Sequence, residues 1–311
     1  MNEKIKLLAD NIEKVIVGKR EVILELIAAL LAEGHVLVED VPGVGKTQLA
    51  AALSRSVSGS FNRIQLTPDV MPSDITGFTM INKETSQFEY RKGVVFCNFL
   101  LADEINRASP KARSALLEAM EERQVSMDGA THPLPKPFMT LATQNPVETY
   151  GTYHLPEAQM DRFFARLNIG YPDAEAEVGI LARNEYQNPI NSIGAVLSVD
   201  DVISLQEQVK KVRAEENVKG YITALTRATR DNENIRLGVS PRGSIALFKA
   251  AKAQAFIEGR DFITPQDVKN RAVAVLSHRI ILSPKGKSEF VTQENMIKNI
   301  LAQVKVPKDY A

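Results

Sequence analysis

The segment Asp40-Val41-Pro42-Gly43-Val44-Gly45-Lys46-Thr47 constrains this chain more than any other. It follows a short apolar run, His35-Val36-Leu37-Val38, that reads as a strand. It precedes Thr47–Ser56, which reads as a helix. Gly43 and Gly45 permit positive φ and let the backbone approach an anion closely. The loop N–H groups and the amino end of the helix then face a phosphate. In that arrangement Lys46 reaches the β- and γ-phosphates and Thr47 offers its hydroxyl to Mg²⁺, with Pro42, Val44 and Gln48 completing the cradle. The strict pattern begins with glycine. Asp40 stands there instead, a carboxylate near phosphate that the sequence does not explain.

The surroundings of the loop fit a parallel sheet. Val22–Ala32 reads as a mostly buried helix, and Phe61–Leu66, Phe96–Leu101, Phe138–Ala142 and Ala165–Ile169 read as strands. Pro110–Gln124 reads as a helix with Ser109 as N-cap and Pro110 in its first turn. Strand–helix alternation of this kind predicts an α/β fold with helices on both faces of the sheet. After Pro189 the strand signals stop. Ser198-x-x-Asp201 has the form of a capping box, Ser240-Pro241 and Thr264-Pro265 each look like a helix start, and Val291–Val304 has helical apolar spacing. The expected organisation is an α/β core over 1–189 and a small all-helical domain over 190–311.

Composition narrows the function classes. Lys+Arg and Asp+Glu both number 38, so the net charge is zero, which argues against binding nucleic acid through general electrostatics. Cys97 is the single cysteine, inside an apolar run, and reads as a small buried hydrophobe. No apolar stretch reaches the roughly 18 residues needed to span a bilayer. Met1-Asn2-Glu3-Lys4 does not open a secretory signal, so a cytoplasmic location is expected. His35, His132, His154 and His278 are scattered, without metal-ligand spacing.

Several polar residues gain meaning beside a nucleotide. Phe99-Leu100-Leu101-Ala102 leads into Asp103-Glu104. Ligands of open α/β sheets bind beyond the carboxyl ends of the strands, so both carboxylates would share a crevice with the loop. Asp103 suits Mg²⁺ and Glu104 suits polarising an attacking water. Taken alone, the pair would read as a solvated loop. Asn145, at the end of another apolar strand, could orient that water or simply form a turn before Pro146. Arg242 falls in the first turn of a helix, where a cation opposes the helix dipole, which suggests an anionic partner; a surface arginine is the alternative. Arg162 could stabilise transition-state charge on a phosphate, with Arg166 as a nearby alternative, or could pair with Asp161 or Glu157.

The ordered set resembles the MoxR family of AAA+ ATPases. Matching stretches include Val17-Gly18-Lys19, Val38 through Thr47, Pro72-Ser73-Asp74-Ile75-Thr76-Gly77, Asp103-Glu104-Ile105-Asn106-Arg107-Ala108, Thr143-Gln144-Asn145-Pro146, Pro156 through Phe163, and Ser240-Pro241-Arg242. The resemblance implies that Lys46 and Thr47 belong to Walker A, and Asp103 and Glu104 to Walker B. It implies that Asn145 is sensor 1, Arg242 is sensor 2 on the helical lid, and Arg162 is a finger reaching a neighbouring subunit's nucleotide. Val17 and Gly18 would line the adenine pocket. An insert would occupy about 70–95 and a hairpin about 129–135. ATP and Mg²⁺ are the implied cofactors. The implied assembly is a homo-oligomeric ring, often a hexamer, acting as a chaperone that remodels or matures a protein client by metal or cofactor insertion or complex assembly, with a von Willebrand factor A domain protein as a candidate partner. The ATPase subunit of a metal chelatase is the confusable neighbour. A nucleotide-gated scaffold and a DNA-acting motor are the other readings.

Overall fold

The computed structural model describes residues 1–146, 153, 155–184 and 189–307. His154 lies outside the described residues. The chain opens with α1 (Glu3–Glu13) and α2 (Arg20–Leu31), then β1 (Val36–Glu39), α3 (Lys46–Ser56) and β2 (Phe61–Gln65). A short α4 (Pro72–Thr76) and the antiparallel pair β3 (Gly77–Ile81) and β4 (Phe88–Lys92) follow. Next come β5 (Phe99–Asp103), α5 (Pro110–Glu122), and a hairpin of β6 (Gln124–Met127) and β7 (Ala130–Pro133). The first part ends with β8 (Met139–Gln144), α6 (Glu157–Met160), β9 (Ala165–Leu167) and α7 (Ala174–Asn184).

Among the described residues the main sheet has five strands in the order β2-β5-β8-β1-β9, and every neighbouring pair is parallel. β5 and β8 are buried along their whole length, as central strands covered on both faces should be. Successive side chains alternate between the two faces. Val36 and Val38 join the apolar cluster that holds Leu49 and Leu53 of α3, whereas Leu37 joins Leu116, Leu117 and Met120 of α5 on the other face.

The later helices are α8 (Val199–Lys210), α9 (Glu216–Arg230), α10 (Pro241–Ile257), α11 (Pro265–Leu276), α12 (Pro284–Phe290) and α13 (Gln293–Gln303). The expected capping chemistry is present. Ser198 accepts from the Asp201 N–H and Asp201 reaches back to the Ser198 N–H, while Ser240 accepts from the Gly243 N–H. This lid is helical apart from a short antiparallel ribbon, β10 (Ile235–Leu237) with β11 (Ile281–Leu282). Its core is continuous with one face of the sheet, since α2 packs against α8 and α10.

One strand begins later than expected. The run from Phe96 reads as a strand, but β5 starts at Phe99. Asn98 accepts hydrogen bonds from Ser60 N and Oγ (both 3.0 Å) and donates to the Pro137 carbonyl, which bends the chain before the strand. The shift makes Asp103 the last residue of β5. Cys97 is buried, as expected, and burial pushes its thiol up to about 12.

Candidate active site

The loop after β1 has the backbone that its glycines permit. Gly43 (φ 87°) and Gly45 (φ 94°) are both left-handed, and Gly45 caps the amino end of α3. A side chain at Gly43 would meet nothing within 4 Å, so the loop is open on that side. Lys46 Nζ donates to the Asp40 carbonyl (2.6 Å) and the Gln144 carbonyl (3.4 Å). The ammonium therefore sits between the carboxyl ends of β1 and β8. Thr47 lies in the first turn of α3 and opens onto a hollow beside Ala51, Arg55 and Phe61.

The acidic pair stands two strands away in the same crevice. Asp103 is buried, with Oδ2 accepting from Arg63 Nε (2.8 Å) and Oδ1 accepting from Thr143 Oγ1 (3.1 Å). The Thr143 hydroxyl also accepts from the Glu104 N–H (3.0 Å), which links the ends of β5 and β8. Glu104 takes the left-handed region at φ 57°, which costs a non-glycine residue about 1 kcal/mol. Its carboxylate pairs with Arg107 at 2.9 Å and remains about one-third exposed. Asn145, directly after β8, is buried.

These residues fit the chemistry expected of them. The buried Asp103 carboxylate already holds one cation, the Arg63 guanidinium, so this position favours positive charge. Asp103 and the Thr47 hydroxyl are hard oxygen donors of the kind Mg²⁺ takes. A cavity of about 560 Å³ adjoins the loop, lined by Val17, Pro42, Gly43, Val44, Gly45 and Gln48 together with Ile169–Pro172 and the α7 residues Ile180 and Leu181. Its mixture of apolar walls and loop backbone suits a base and ribose. Gly18 (φ 70°) follows the lining residue Val17 but is not itself in the lining; a Cβ on it would sit 3.1 Å from that of Ala176.

The two arginines lie elsewhere. Arg162 pairs with Glu121 Oε2 at 2.9 Å, and Arg242 donates to Glu121 Oε1. Among the described residues Arg162 makes no ion pair with Asp161 or Glu157. Asp161 instead accepts from Ser240 Oγ (2.8 Å) and from Arg279 Nε (2.8 Å). Arg279 is deeply buried, and burial drops its pKa to about 10 against the opposing pull of Asp161. Arg162, Arg242 and Glu121 line a cleft of about 240 Å³ with His35, which precedes β1. The loop leaves the other end of β1. A four-residue strand separates them, roughly 13 Å at about 3.3 Å per residue. Arg166 is committed to its own chain, donating to Glu39 Oε2 (2.8 Å) and pairing with Glu294 of α13.

Three contributors were not singled out in the sequence: Arg63, Thr143 and Glu121. Thr143 lies within the matching stretch Thr143-Gln144-Asn145-Pro146 and Glu121 within another, Leu116 through Glu122, whereas Arg63 carries no local signal. Among the described residues no group of three or more His, Cys, Asp or Glu side chains could hold a metal ion. His35 and His278 are buried, and His132 stacks on Tyr90 at 4.1 Å.

Fold and site together define a phosphate-loop ATPase core carrying a helical lid. A profile described as "ATPase family associated with various cellular activities (AAA)" matches residues 35–165, and an "AAA lid domain" profile matches residues 227–300. Chaperone MoxR1 of Mycobacterium tuberculosis is 40% identical over 96% of this chain and 81% of its own length. The uncharacterized protein YeaC of Bacillus subtilis is 50% identical over 96% of this chain and 93% of its own. A crystal structure of a proposed ATPase from Cytophaga hutchinsonii has a TM-score of 0.90 at 40% identity, covering 98% of this chain and 95% of that one. The chain belongs to the MoxR family of AAA+ ATPases. Among the described residues no helix is long and apolar enough to cross a membrane.

Proposed function

We propose that this ATPase works as a homo-oligomeric ring, a hexamer, in which each nucleotide site is completed by the next subunit. Lys46, Thr47 and Asp103 hold Mg²⁺-ATP, the metal supplying charge neutralisation at the phosphates. Glu104 takes the proton of the attacking water and Asn145 orients that water. Val17 and Gly18 contribute to the base pocket. Arg162 and Arg242 face the nucleotide of the neighbouring copy, where a finger of this kind contributes about 10³–10⁵ in rate in other enzymes. The observation that carries this reading is the position of both arginines at the opposite end of β1 from the phosphate loop.

The product of the cycle is mechanical work on a protein client in the cytoplasm, with a von Willebrand factor A domain protein as partner. The hairpin of β3 and β4 supports a client-facing role, because Phe78, Ile81 and Phe88 are all exposed on it. On this reading the core spans 1–189, with an insert at about 70–95 and a hairpin at about 129–135, and the lid spans 190–311.

The test is a complementation assay. Lys46→Ala and Arg162→Ala are each expected to lose ATP hydrolysis alone. Mixed subunits should regain part of it, because the Lys46→Ala copy supplies Arg162 to an intact loop. The wild-type rate per subunit should rise with protein concentration until the ring is formed. A mixture no more active than the sum of its parts would remove Arg162 from the neighbour's site.

A further inference from the structure

We propose that Asp40 is a positioning residue that fastens the base-end wall of the nucleotide cavity to the phosphate loop, and so sets how much the nucleoside contributes to binding. The proposal rests on the reading of that cavity as the nucleoside site. Asp40 is 4% exposed, and each of its polar groups is committed. Its N–H donates to the Gln144 carbonyl (3.2 Å), and its own carbonyl accepts from Lys46 Nζ. Its carboxylate accepts from three backbone N–H groups: Val41 to Oδ1 at 2.8 Å, and Ile169 and Gly170 to Oδ2, both at 2.7 Å.

The last two bonds matter because of where the sheet stops. β9 is an edge strand of three residues, and its pairing with β1 ends at Val38 opposite Leu167. Beyond that point the ladder no longer holds the chain. Asn168 Nδ2 reaches the Glu39 carbonyl at a long 3.3 Å, and the Asp40 carboxylate supplies the two short contacts. The fastened segment, Ile169 through Pro172, forms one wall of the cavity next to the loop. Charged acceptors make hydrogen bonds roughly twice as strong as neutral ones, so a carboxylate does this better than an amide. A glycine at this position, the usual start of the loop motif, would leave both N–H groups without their acceptor. The carboxylate that looks misplaced beside phosphates therefore points away from them.

The two ends of the ligand separate in a binding experiment without turnover. Dissociation constants of Mg²⁺-ADP and Mg²⁺-pyrophosphate are measured by calorimetry on the full chain, for wild type, Asp40→Asn and Asp40→Gly. Wild type should bind ADP more tightly than pyrophosphate. In Asp40→Gly that preference should shrink about tenfold, the equivalent of one good hydrogen bond, with pyrophosphate affinity changed by less than about twofold. Asp40→Asn preserves volume and should give a smaller loss in the same direction. Thermal denaturation establishes that each variant is folded, and Asp40→Asn carries the test if the glycine variant is not. An unchanged preference overturns the role of Asp40. Equal weakening of both ligands also overturns it, by making Asp40 a determinant of the phosphate loop. A wild type without preference for ADP overturns the nucleoside reading of the cavity, and the proposal with it.

Discussion

Protonation of His35 should destabilise the fold in mild acid by an amount that the structure allows to be worked out. The ring is buried just before β1. Its Nδ1 accepts the Thr140 N–H at 2.9 Å, which leaves the proton on Nε2, 2.9 Å from the Met120 carbonyl that accepts it. Burial, aided by the nearby Arg123 charge and opposed by the Met120 bond, lowers its pKa to about 4 from an ordinary 6.5. A second proton would set one N–H against another at Thr140. Between these two values the unfolded chain binds a proton that the folded chain refuses. Stability is therefore complete above about pH 6.5 and is lost as pH falls towards 4. At pH 4.5 the shift amounts to about 2.5 kcal/mol, from roughly 1.36 kcal/mol per pH unit. His278 is also buried with a strongly lowered pKa, so it adds a loss of the same sign. The quantity to measure is thus a difference. Urea unfolding of wild type and His35→Gln at pH 7.5 and 4.5 should show wild type losing about 2.5 kcal/mol more than the variant. Equal losses would refute the assignment of the buried neutral ring as the source.

Three further outcomes follow from the same geometry. Glu104→Gln should retain equilibrium ATP binding while turnover, followed as ADP release, falls by about 10²–10⁴, the range for loss of a general base. Asp161→Ala leaves the guanidinium of Arg279 without its carboxylate, although the Phe163 and Phe164 carbonyls still accept from it. This should cost about 3 kcal/mol, the lower end for a broken buried pair, and lower the melting temperature by on the order of 10 °C. Glu121→Ala should lower kcat about tenfold with little change in KM for ATP, because it disperses the two arginines and leaves the loop untouched; a raised KM with normal kcat would contradict that role.

Local chemistry made much of this fold legible in the sequence. The glycines of the loop, the Ser–Pro helix starts and the apolar runs of β5 and β8 each act within a few residues, so their consequences can be read in order along the chain. The destinations of charged side chains could not be read that way. The Asp40 carboxylate finds its partners about 130 residues later, and Glu121 meets Arg242 at a comparable distance. Both pairings depend on which strand is the neighbour of β1 and on how the lid docks. Arg162 illustrates the point. Nearby Asp161 is the obvious partner in sequence, yet Asp161 is taken by Ser240 and Arg279, and Arg162 turns to a helix end from a different part of the core.

The shared carboxylate has a mechanical consequence. Arg162 follows directly from Asp161 in the core, and Arg242 lies two residues beyond Ser240 in the lid. The Asp161–Ser240 hydrogen bond therefore pins the two arginine-bearing segments together at their base, and Glu121 collects their heads. A rotation of the lid about that pin would move Arg242 while Arg162 stayed with the core. If the neighbour's phosphates need both guanidiniums, lid angle in one subunit controls hydrolysis in the next. Where the lid angle also changes the affinity for the neighbour's nucleotide, linkage requires the converse, that nucleotide binding in one subunit biases the lid angle of its neighbour. That coupling passes through the Asp161–Ser240 contact between core and lid rather than through the nucleotide site of the same chain, because the loop and the arginine pair occupy opposite ends of β1.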